Sequence, residues 1–259
     1  MDGVLWTGKE KIESGPQVIR KLTEAGKEIR YVSNTSSRSL SDCLEKFTRF
    51  GYDIGGDELF IASRLTAKKV AQKCQKGAPV YVIGSDGLRE EIANQGLKQV
   101  DAPEFSDHTI KYVIAGHDRD FNYKKMKNAL KAFEQGAGLA AVNLDATYPG
   151  KNGLRPAGGA IVGSLKVLAG EEPEIMPGKP EADLLQEAVR SLNIAIDDCL
   201  MIGDTPEADV KAAHNCGMDS ALVLSGNTSI DELDCLPADE TPDYVLNSIT
   251  DFVTYSEAN

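Results

Sequence analysis

The sequence lacks the features that mark membrane and nucleic-acid-binding proteins. No apolar run approaches the ~20 residues that a membrane-spanning helix needs. There is no signal-peptide pattern, so we expect a cytoplasmic protein. The 28 Lys and Arg are outnumbered by 40 Asp and Glu, which gives a formal net charge of -12. Because affinity for polyanions comes largely from Lys and Arg, we expect neither nucleic acid nor an anionic membrane as a partner.

Cysteine and histidine are too few and too scattered for a metal or disulfide framework. The five cysteines form no C-x-x-C pair, and the three histidines are far apart in the sequence. Small, mostly buried thiols in a reducing compartment are therefore expected, and a zinc site is not. The segment GGAIVG at 158–163 does not have the G-x-G-x-x-G spacing of a dinucleotide-binding loop, which argues against a dehydrogenase-like nucleotide binder.

What the chain does contain is a regular alternation of predicted strands and helices. Short apolar runs such as 80–83, 112–115 and 200–202 are typical of buried strands. Stretches with helical spacing of apolar residues separate them. This alternation predicts an α/β fold with doubly wound parallel sheets. No linker rich in Pro, Gly or Ser divides the 259 residues into two domains.

Four short polar segments follow predicted strands. They are DGVLW at 2–6, SNT at 33–35, GKP at 178–180 and GDTPEAD at 203–209. Taken alone, each is typical of an ordinary turn, helix cap or surface loop. Sites in open α/β sheets form at the carboxyl ends of strands, so the segments are expected to converge. Their carboxylates, hydroxyl and ammonium suit a Mg²⁺ ion beside a phosphate.

In this order the four segments resemble the signature of the haloacid dehalogenase superfamily of phosphatases, in the 4-nitrophenylphosphatase or NagD-like branch. The resemblance covers nearly the whole chain and includes YVIG at 81–84, DRDFNY at 118–123 and NLDATYP at 143–149. It implies a Rossmann-like core with a large inserted α/β (C2-type) cap. We place the core at 1–77 plus 172–259 and the cap at 78–171, because two segments precede residue 40 and two follow residue 177.

The resemblance implies a Mg²⁺-dependent phosphomonoester hydrolase that works through an aspartyl-phosphate. Asp2 is then the general acid/base, and its main-chain carbonyl also binds Mg²⁺. Lys179 stabilises the phosphorylated carboxylate. The family's nucleophilic aspartate falls immediately before Met1, where this sequence has no residue. We therefore expect low activity from the chain as written. A miscalled start, a trimmed chain and true degeneration all remain open.

The remaining implied roles concern phosphate and metal. Ser33 supplies a hydroxyl to the phosphate, with Asn34 and Thr35 beside it, although the branch usually has Asn at the position of Thr35. Asp204 is the direct Mg²⁺ ligand, and Asp209 orients metal-bound water from the second shell.

The cap is expected to choose the substrate. Four residues of a loop bounded by Pro and Gly are the specificity candidates: Asp145, Thr147, Tyr148 and Arg155. Small phosphorylated metabolites are the expected partners, with sugar phosphates, phosphoglycolate, pyridoxal phosphate and nucleotide monophosphates all open. Caps of this branch often pair, which suggests a homodimer. The alternative function is a catalytically dead phosphate- or metal-binding homologue that lacks the nucleophile.

Overall fold

The computed structural model describes residues 1–8, 10–101, 109–150 and 153–252. The chain divides into two compact units. The first contains Met1–Ser33, Leu44–Phe60 and the described residues from Lys179 onward. The second contains Asn34–Cys43 and the described part of Ile61–Gly178. The predicted cap, 78–171, lies wholly within the sequence range of the second unit, and its exact limits stay a prediction.

The described residues contain short strands and helices of up to twelve residues. The strands are β1 (Trp6–Thr7), β2 (Glu10–Lys11), β3 (Tyr31–Ser33), β4 (Leu59–Ile61), β5 (Pro79–Ile83), β6 (Lys98–Gln99), β7 (Tyr112–Ala115), β8 (Gly138–Ala141), β9 (Thr147–Gly150), β10 (Gly153–Pro156), β11 (Leu200–Gly203), β12 (Asp219–Val223) and β13 (Tyr244–Leu246). The α-helices are α1 (Gly15–Glu24), α2 (Leu40–Arg49), α3 (Ala62–Lys73), α4 (Asp86–Asn94), α5 (Tyr123–Glu134), α6 (Gly158–Ala169), α7 (Asp183–Arg190) and α8 (Lys211–Cys216). Short 3₁₀ helices cover Ile196–Asp198, Ile230–Cys235 and Ala238–Glu240, and Pro206–Val210 forms a π-helical turn.

A parallel sheet forms the centre of the second unit. Its strand order is β6-β5-β7-β8, and every neighbouring pair is parallel. The apolar sequences of β5 and β7 explain this position, because a parallel strand covered on both faces is apolar throughout. Helices α5 and α6 contribute Ala129, Val162 and Leu165 to the core that the sheet residues Ile83 and Leu139 also join.

The first unit contains a second parallel sheet, with strand order β11-β12-β13. Leu185 of α7 and Ala212 of α8 pack with Met201 of β11 in one apolar cluster. Both sheets are parallel and helices alternate with the strands, so the predicted α/β fold class is confirmed. Residue 204 directly follows β11, at the carboxyl end of this sheet.

Aromatic residues anchor α2 in the first unit. The ring of Phe47 lies edge-on to Trp6, with centroids 4.9 Å apart, and also contacts Tyr31 at 4.8 Å. Phe50 and Tyr52 complete the cluster around the Trp6 ring. Such pairs contribute about 0.5–1.5 kcal/mol each beyond their burial. The cluster therefore fixes α2 against the segment that contains Asp2.

Two local predictions differ from the structure. The predicted loop from Asp145 to Arg155 contains two antiparallel strands, β9 and β10. Its prolines suggested a loop, but proline is tolerated in edge strands. Before residue 178, in the part that the structure describes, Ile175 makes only an isolated bridge to Ala140 in place of the predicted strand.

None of the helices that the structure describes combines the length and the apolar character needed to cross a membrane.

Candidate active site

Asp204 is held in a buried position at the end of β11. Its Oδ2 accepts a hydrogen bond from the main-chain N–H of Asn227 at 3.0 Å, and its Oδ1 accepts one from the Thr205 hydroxyl at 3.3 Å. The Thr228 hydroxyl donates to the Asp204 carbonyl at 2.8 Å. Burial raises the pKa of the Asp204 carboxyl above its ordinary value, and the negative charge of Asp209 adds to this shift. A nearby cation would favour the ionised form of this buried carboxyl group.

Asp209 is anchored from both sides. One oxygen accepts main-chain N–H bonds from Asp204 at 3.0 Å and from Thr205 at 3.2 Å. The other oxygen is paired with the Lys179 ammonium. Burial alone would raise the pKa of Asp209, but the positive charges beside it, Lys179 first, hold it below its ordinary value. Asp209 is therefore an ionised anchor for Lys179 and for the main chain around Asp204.

Two glycines let other loops approach the Asp204 carboxylate. A Cβ added at Gly3 or at Gly226 would lie 2.2 Å from the Oδ2 of Asp204. Gly3 also has a φ of +75°, in the region that favours glycine. The Ser225 hydroxyl donates to the Gly3 carbonyl at 2.7 Å. Both the first predicted segment and the loop after β12 therefore border Asp204. The predictions from sequence missed Gly226 and Ser225, because no motif identified that loop.

Asp2 lies in a tight turn of the first unit. The Gly3 N–H donates to the Trp6 carbonyl at 2.7 Å, and the Leu5 N–H donates to the Met1 carbonyl at 2.9 Å. The Asp2 side chain is 65% exposed, and its Oδ1 is 3.3 Å from the Nζ of Lys46. Sequence reasoning also missed Lys46. It is 44 positions from Asp2, on the buried face of α2, with no spacing signal to connect the two.

The boundary between the two units falls within the predicted phosphate segment, 33–35. Ser33 is the last residue of β3 in the first unit, and Asn34 is the first residue of a second-unit segment. Within the second unit, the Asn34 amide donates to Asp145 at 3.2 Å. The Asn143 amide in turn donates to the Asn34 carbonyl. Asn34 is thereby joined to the segment that contains the specificity candidates. Thr35 is half-buried.

The hairpin of the second unit carries the other specificity candidates. Arg155 of β10 is the cross-strand partner of Tyr148 on β9, and Thr147 is the partner of Pro156. Tyr148 packs edge-on against His117, with ring centroids 5.4 Å apart. Burial, with the charge of Arg119 second, lowers the pKa of His117, which favours a neutral ring. His117 was not predicted as a site residue, because an isolated histidine gives no motif.

The residues around Asp204 suit a small cation that prefers oxygen ligands. Among the residues that the structure describes, no three His, Cys, Asp or Glu side chains are grouped to hold a metal. Magnesium does not require such a group, since it is commonly bound by one or two carboxylates plus water. Asp204 supplies a buried carboxylate with a raised pKa, and the main chain of the Asp2–Gly3 turn borders it. A cation there would relieve the repulsion between Asp204 and Asp209.

Comparison with known proteins decides the family. The model of haloacid dehalogenase-like hydrolases matches residues 1–98, and a related model of HAD-like hydrolases matches residues 176–252. The 5'-nucleotidase YutF of Bacillus subtilis is 32% identical over 255 residues, which cover 98% of this chain and 96% of that protein. The chain belongs to the haloacid dehalogenase-like hydrolases. This confirms the resemblance found from the four segments.

Solved structures agree with this membership of the haloacid dehalogenase-like family. The p-nitrophenyl phosphatase from Archaeoglobus fulgidus has a TM-score of 0.89 and 35% identity, with 98% of this chain and 96% of that chain covered. The glycerol phosphate phosphatase from Mycobacterium tuberculosis, in complex with magnesium, has a TM-score of 0.85 and 25% identity, with 96% and 73% covered. The predicted 4-nitrophenylphosphatase branch is thus confirmed.

Proposed function

We propose that this hydrolase is a Mg²⁺-dependent phosphatase that cleaves small phosphomonoesters through an aspartyl-phosphate. The observation that carries the proposal is the buried charge cluster of Lys179, Asp204 and Asp209 in the first unit. Lys179 belongs to the predicted segment GKP, and Asp204 and Asp209 belong to the predicted segment GDTPEAD. The relatives' names support the enzyme class, a phosphoric monoester hydrolase.

The surroundings of Met1 support the predicted position of the nucleophile. Burial lowers the pKa of the Met1 amino group, and the charges of Lys179, Asp209, Asp204 and Asp2 all act on it. In the family pattern the nucleophilic aspartate immediately precedes this nitrogen. A carboxylate carried there would have the Lys179 ammonium near it, and Asp204 would hold a Mg²⁺ ion that supplies further positive charge. That combination is the one an acyl-phosphate mechanism requires.

The proposed reaction has two steps. In the first, the nucleophilic carboxylate forms a bond to phosphorus, the bond to the leaving oxygen breaks, and Asp2 gives its proton to that oxygen. In the second, water attacks phosphorus, Asp2 takes the water proton, and the acyl-phosphate bond breaks. Asp2 is thereby restored. Magnesium, when bound, supplies positive charge that stabilises the phosphoryl oxygens.

The other residues hold the substrate. We propose that the Ser33 hydroxyl, with Asn34 and Thr35 beside it, binds phosphate oxygens, and that Lys179 offsets the negative charge of the transition state. Asp209 keeps Lys179 in place. For the second unit we propose that Asp145, Thr147, Tyr148 and Arg155 select the leaving group. The relatives' names include a 5'-nucleotidase and a glycerol phosphate phosphatase, so small alcohol phosphates are the proposed class.

The test compares three proteins on 4-nitrophenyl phosphate with Mg²⁺. The first protein starts at Met1, the second carries an additional apolar strand ending in Asp before Met1, and the third carries the same extension ending in Asn. We expect the Asp extension to raise turnover by orders of magnitude. The Asn extension should not, since an amide of nearly equal shape is a poor nucleophile. Equal turnover in the unextended and Asp-extended proteins would show that the register of Asp2 is wrong. No turnover in any of the three would favour the catalytically dead alternative, which the names of the relatives do not support.

A further inference from the structure

Lys46 is a buried cation beside Asp2. It lies on α2 in the first unit, outside all four predicted segments. Its Nζ is 3.3 Å from the Oδ1 of Asp2 and 4.3 Å from the centroid of the Trp6 ring. Only 6% of the Lys46 side chain is exposed, compared with 65% of the Asp2 side chain. The ammonium group is thus covered, and the carboxylate that it contacts is accessible.

Two aromatic rings lie beside the Lys46 ammonium. Trp6 is 1% exposed and is fixed by the edge-on ring of Phe47. Phe50 lies on another side, with its ring centroid 5.7 Å from the Nζ. Burying an ammonium is costly unless it is paired, and an aromatic face compensates only part of that cost. The contact with Asp2 places an opposite charge 3.3 Å from the ammonium, so the two charged groups are direct neighbours.

We propose that Lys46 is a positioning residue for Asp2 in its role as general acid, an inference that rests on the function proposed above. The ammonium fixes the orientation of the Asp2 carboxyl. It also stabilises the negative charge that appears on Asp2 as the proton moves to the leaving oxygen. This interaction is stronger after proton donation than before it. It therefore contributes to the rate of the first step and adds little to substrate binding.

This role has a consequence that depends on the leaving group. An alkoxide leaves poorly unless it is protonated, so alkyl phosphates depend on the general acid. The 4-nitrophenolate anion leaves without a proton. Loss of Lys46 should therefore impair hydrolysis of an alkyl phosphate far more than hydrolysis of 4-nitrophenyl phosphate. A lysine that merely supported the aromatic cluster would affect both substrates alike, because misfolding or loosening does not distinguish leaving groups.

The experiment measures kcat/KM for glycerol phosphate and 4-nitrophenyl phosphate in the Asp-extended chain. This ratio reports the first irreversible step, in which the leaving group departs. The variants are Lys46→Met, which keeps the length of the side chain and removes its charge, Lys46→Arg, which keeps the charge, and Asp2→Asn. Lys27→Met removes the same charge at an exposed position of the first unit and serves as the matched control.

We expect Asp2→Asn to lower kcat/KM for glycerol phosphate by about 10²–10⁴-fold, with a much smaller loss on 4-nitrophenyl phosphate. Lys46→Met should show the same selectivity at a reduced size, about 10-fold on glycerol phosphate and less than about 3-fold on the aryl substrate. Lys46→Arg should recover part of the loss, and Lys27→Met should change neither value.

Three results would overturn the inference. One is an equal loss on both substrates for Lys46→Met, with the selectivity of Asp2→Asn intact. Another is no loss at all in a folded Lys46→Met protein. A third is an Asp2→Asn protein without selectivity between the substrates, which would remove Asp2 from the proposed mechanism and is distinguishable from a failure of Lys46 alone.

If Lys46→Met lacks a cooperative thermal transition, Lys46→Gln replaces it in the same comparison.

Discussion

Gly3 shows at the scale of one residue how the candidate active site is assembled. Any side chain at this position would overlap the Asp204 carboxylate, since an added Cβ would be 2.2 Å from Oδ2. The positive φ of Gly3 turns the chain directly after Asp2. The dipeptide Asp2–Gly3 thus combines the proposed general acid with a glycine that leaves room for the Asp204 carboxylate. The glycine is as necessary to the arrangement as the charged residues.

Replacement of Asp204 by Asn is the first prediction. Asp204→Asn removes one charge from the proposed Mg²⁺ site and should weaken binding of Mg²⁺ by about 100-fold or more. Folding should be little affected, because the change also removes the repulsion between two buried carboxylates. Isothermal titration of Mg²⁺ measures the effect. Asp219→Asn, an exposed acidic residue of the same unit, is the control. Equal Mg²⁺ affinities for the wild type and Asp204→Asn would refute the metal assignment.

Glu91 provides a prediction about pH. This buried carboxyl accepts the Leu40 N–H at 2.6 Å, at the start of α2. Burial raises its pKa above the ordinary 4.5, although the Leu40 bond opposes the shift. The ionised form is therefore less favourable in the folded protein than in the unfolded chain. This cost is absent below pH 4.5 and complete above the folded-state pKa.

Glu91→Gln removes the titration at nearly constant shape. The free energy of unfolding of the wild type, relative to Glu91→Gln, should fall as the pH rises from about 4.5 through the raised pKa, and then level off. Urea unfolding of both proteins between pH 4.5 and 8 measures this difference. A difference that stays constant, or grows with pH, would contradict the raised pKa.

At the scale of one element, α6 shows that two glycines on one helix have different roles. A Cβ at Gly159 would lie 2.1 Å from the Leu144 carbonyl oxygen, and the Gly159 N–H donates to the Asp145 carbonyl at 2.9 Å. A Cβ at Gly163 would meet no atom within 4 Å. The first glycine therefore permits close contact with the segment that contains Asp145. This packing accounts for one glycine of the segment GGAIVG, which lacks the spacing of a dinucleotide-binding loop.

The two glycines make a matched pair of substitutions. Gly159→Ala should push the main chain at 144–145 away and destabilise the protein by about 1–3 kcal/mol. Gly163→Ala should stabilise it by up to about 1 kcal/mol, because alanine favours a helix interior over glycine. Denaturant unfolding gives both values. If Gly159→Ala is as stable as Gly163→Ala, the close approach at Gly159 has no energetic importance.

At the scale of the whole molecule, the division into units gives a prediction about excision. Leu65 and Val70 of α3 are buried, and α3 contacts β8 and α4, which both belong to the second unit. Removal of 78–171 would delete these partners and expose the apolar face of α3. Removal of 61–178 would delete α3 together with them. We therefore expect the longer excision to leave the more cooperative core.

Thermal unfolding of both shortened proteins decides between these limits. The protein that lacks 61–178 should show a sharp transition, and the one that lacks 78–171 should unfold at lower temperature or aggregate. The reverse order would support 78–171 as the insertion. Loss of the transition in both would mean that the core does not fold without the inserted residues.

Local patterns in the sequence predicted most of the regular structure and the order of the site segments. The predicted strand at 112–115 coincides with β7, and the apolar runs at 80–83 and 200–202 lie within β5 and β11. Such apolar runs involve only near neighbours in the chain, so the sequence shows them directly. The strand ends that carry Ser33 and Asp204 also lie where they were expected. The hairpin of β9 and β10 was missed, because pairing between strands is a property of two segments and of their position at an edge.

Contacts across long separations in the chain were decided by tertiary structure alone. The sequence determined that Asp2, Lys179, Asp204 and Asp209 are present at turns, since short motifs record residue type and spacing. It did not determine that Lys46 contacts Asp2 or that Asn34 bonds to Asp145, 111 positions away. Such pairs depend on how helices and loops pack, and packing depends on the combined shape of many side chains. For this reason the residue types of the proposed chemistry were visible in the sequence, while the groups that hold them in place were not.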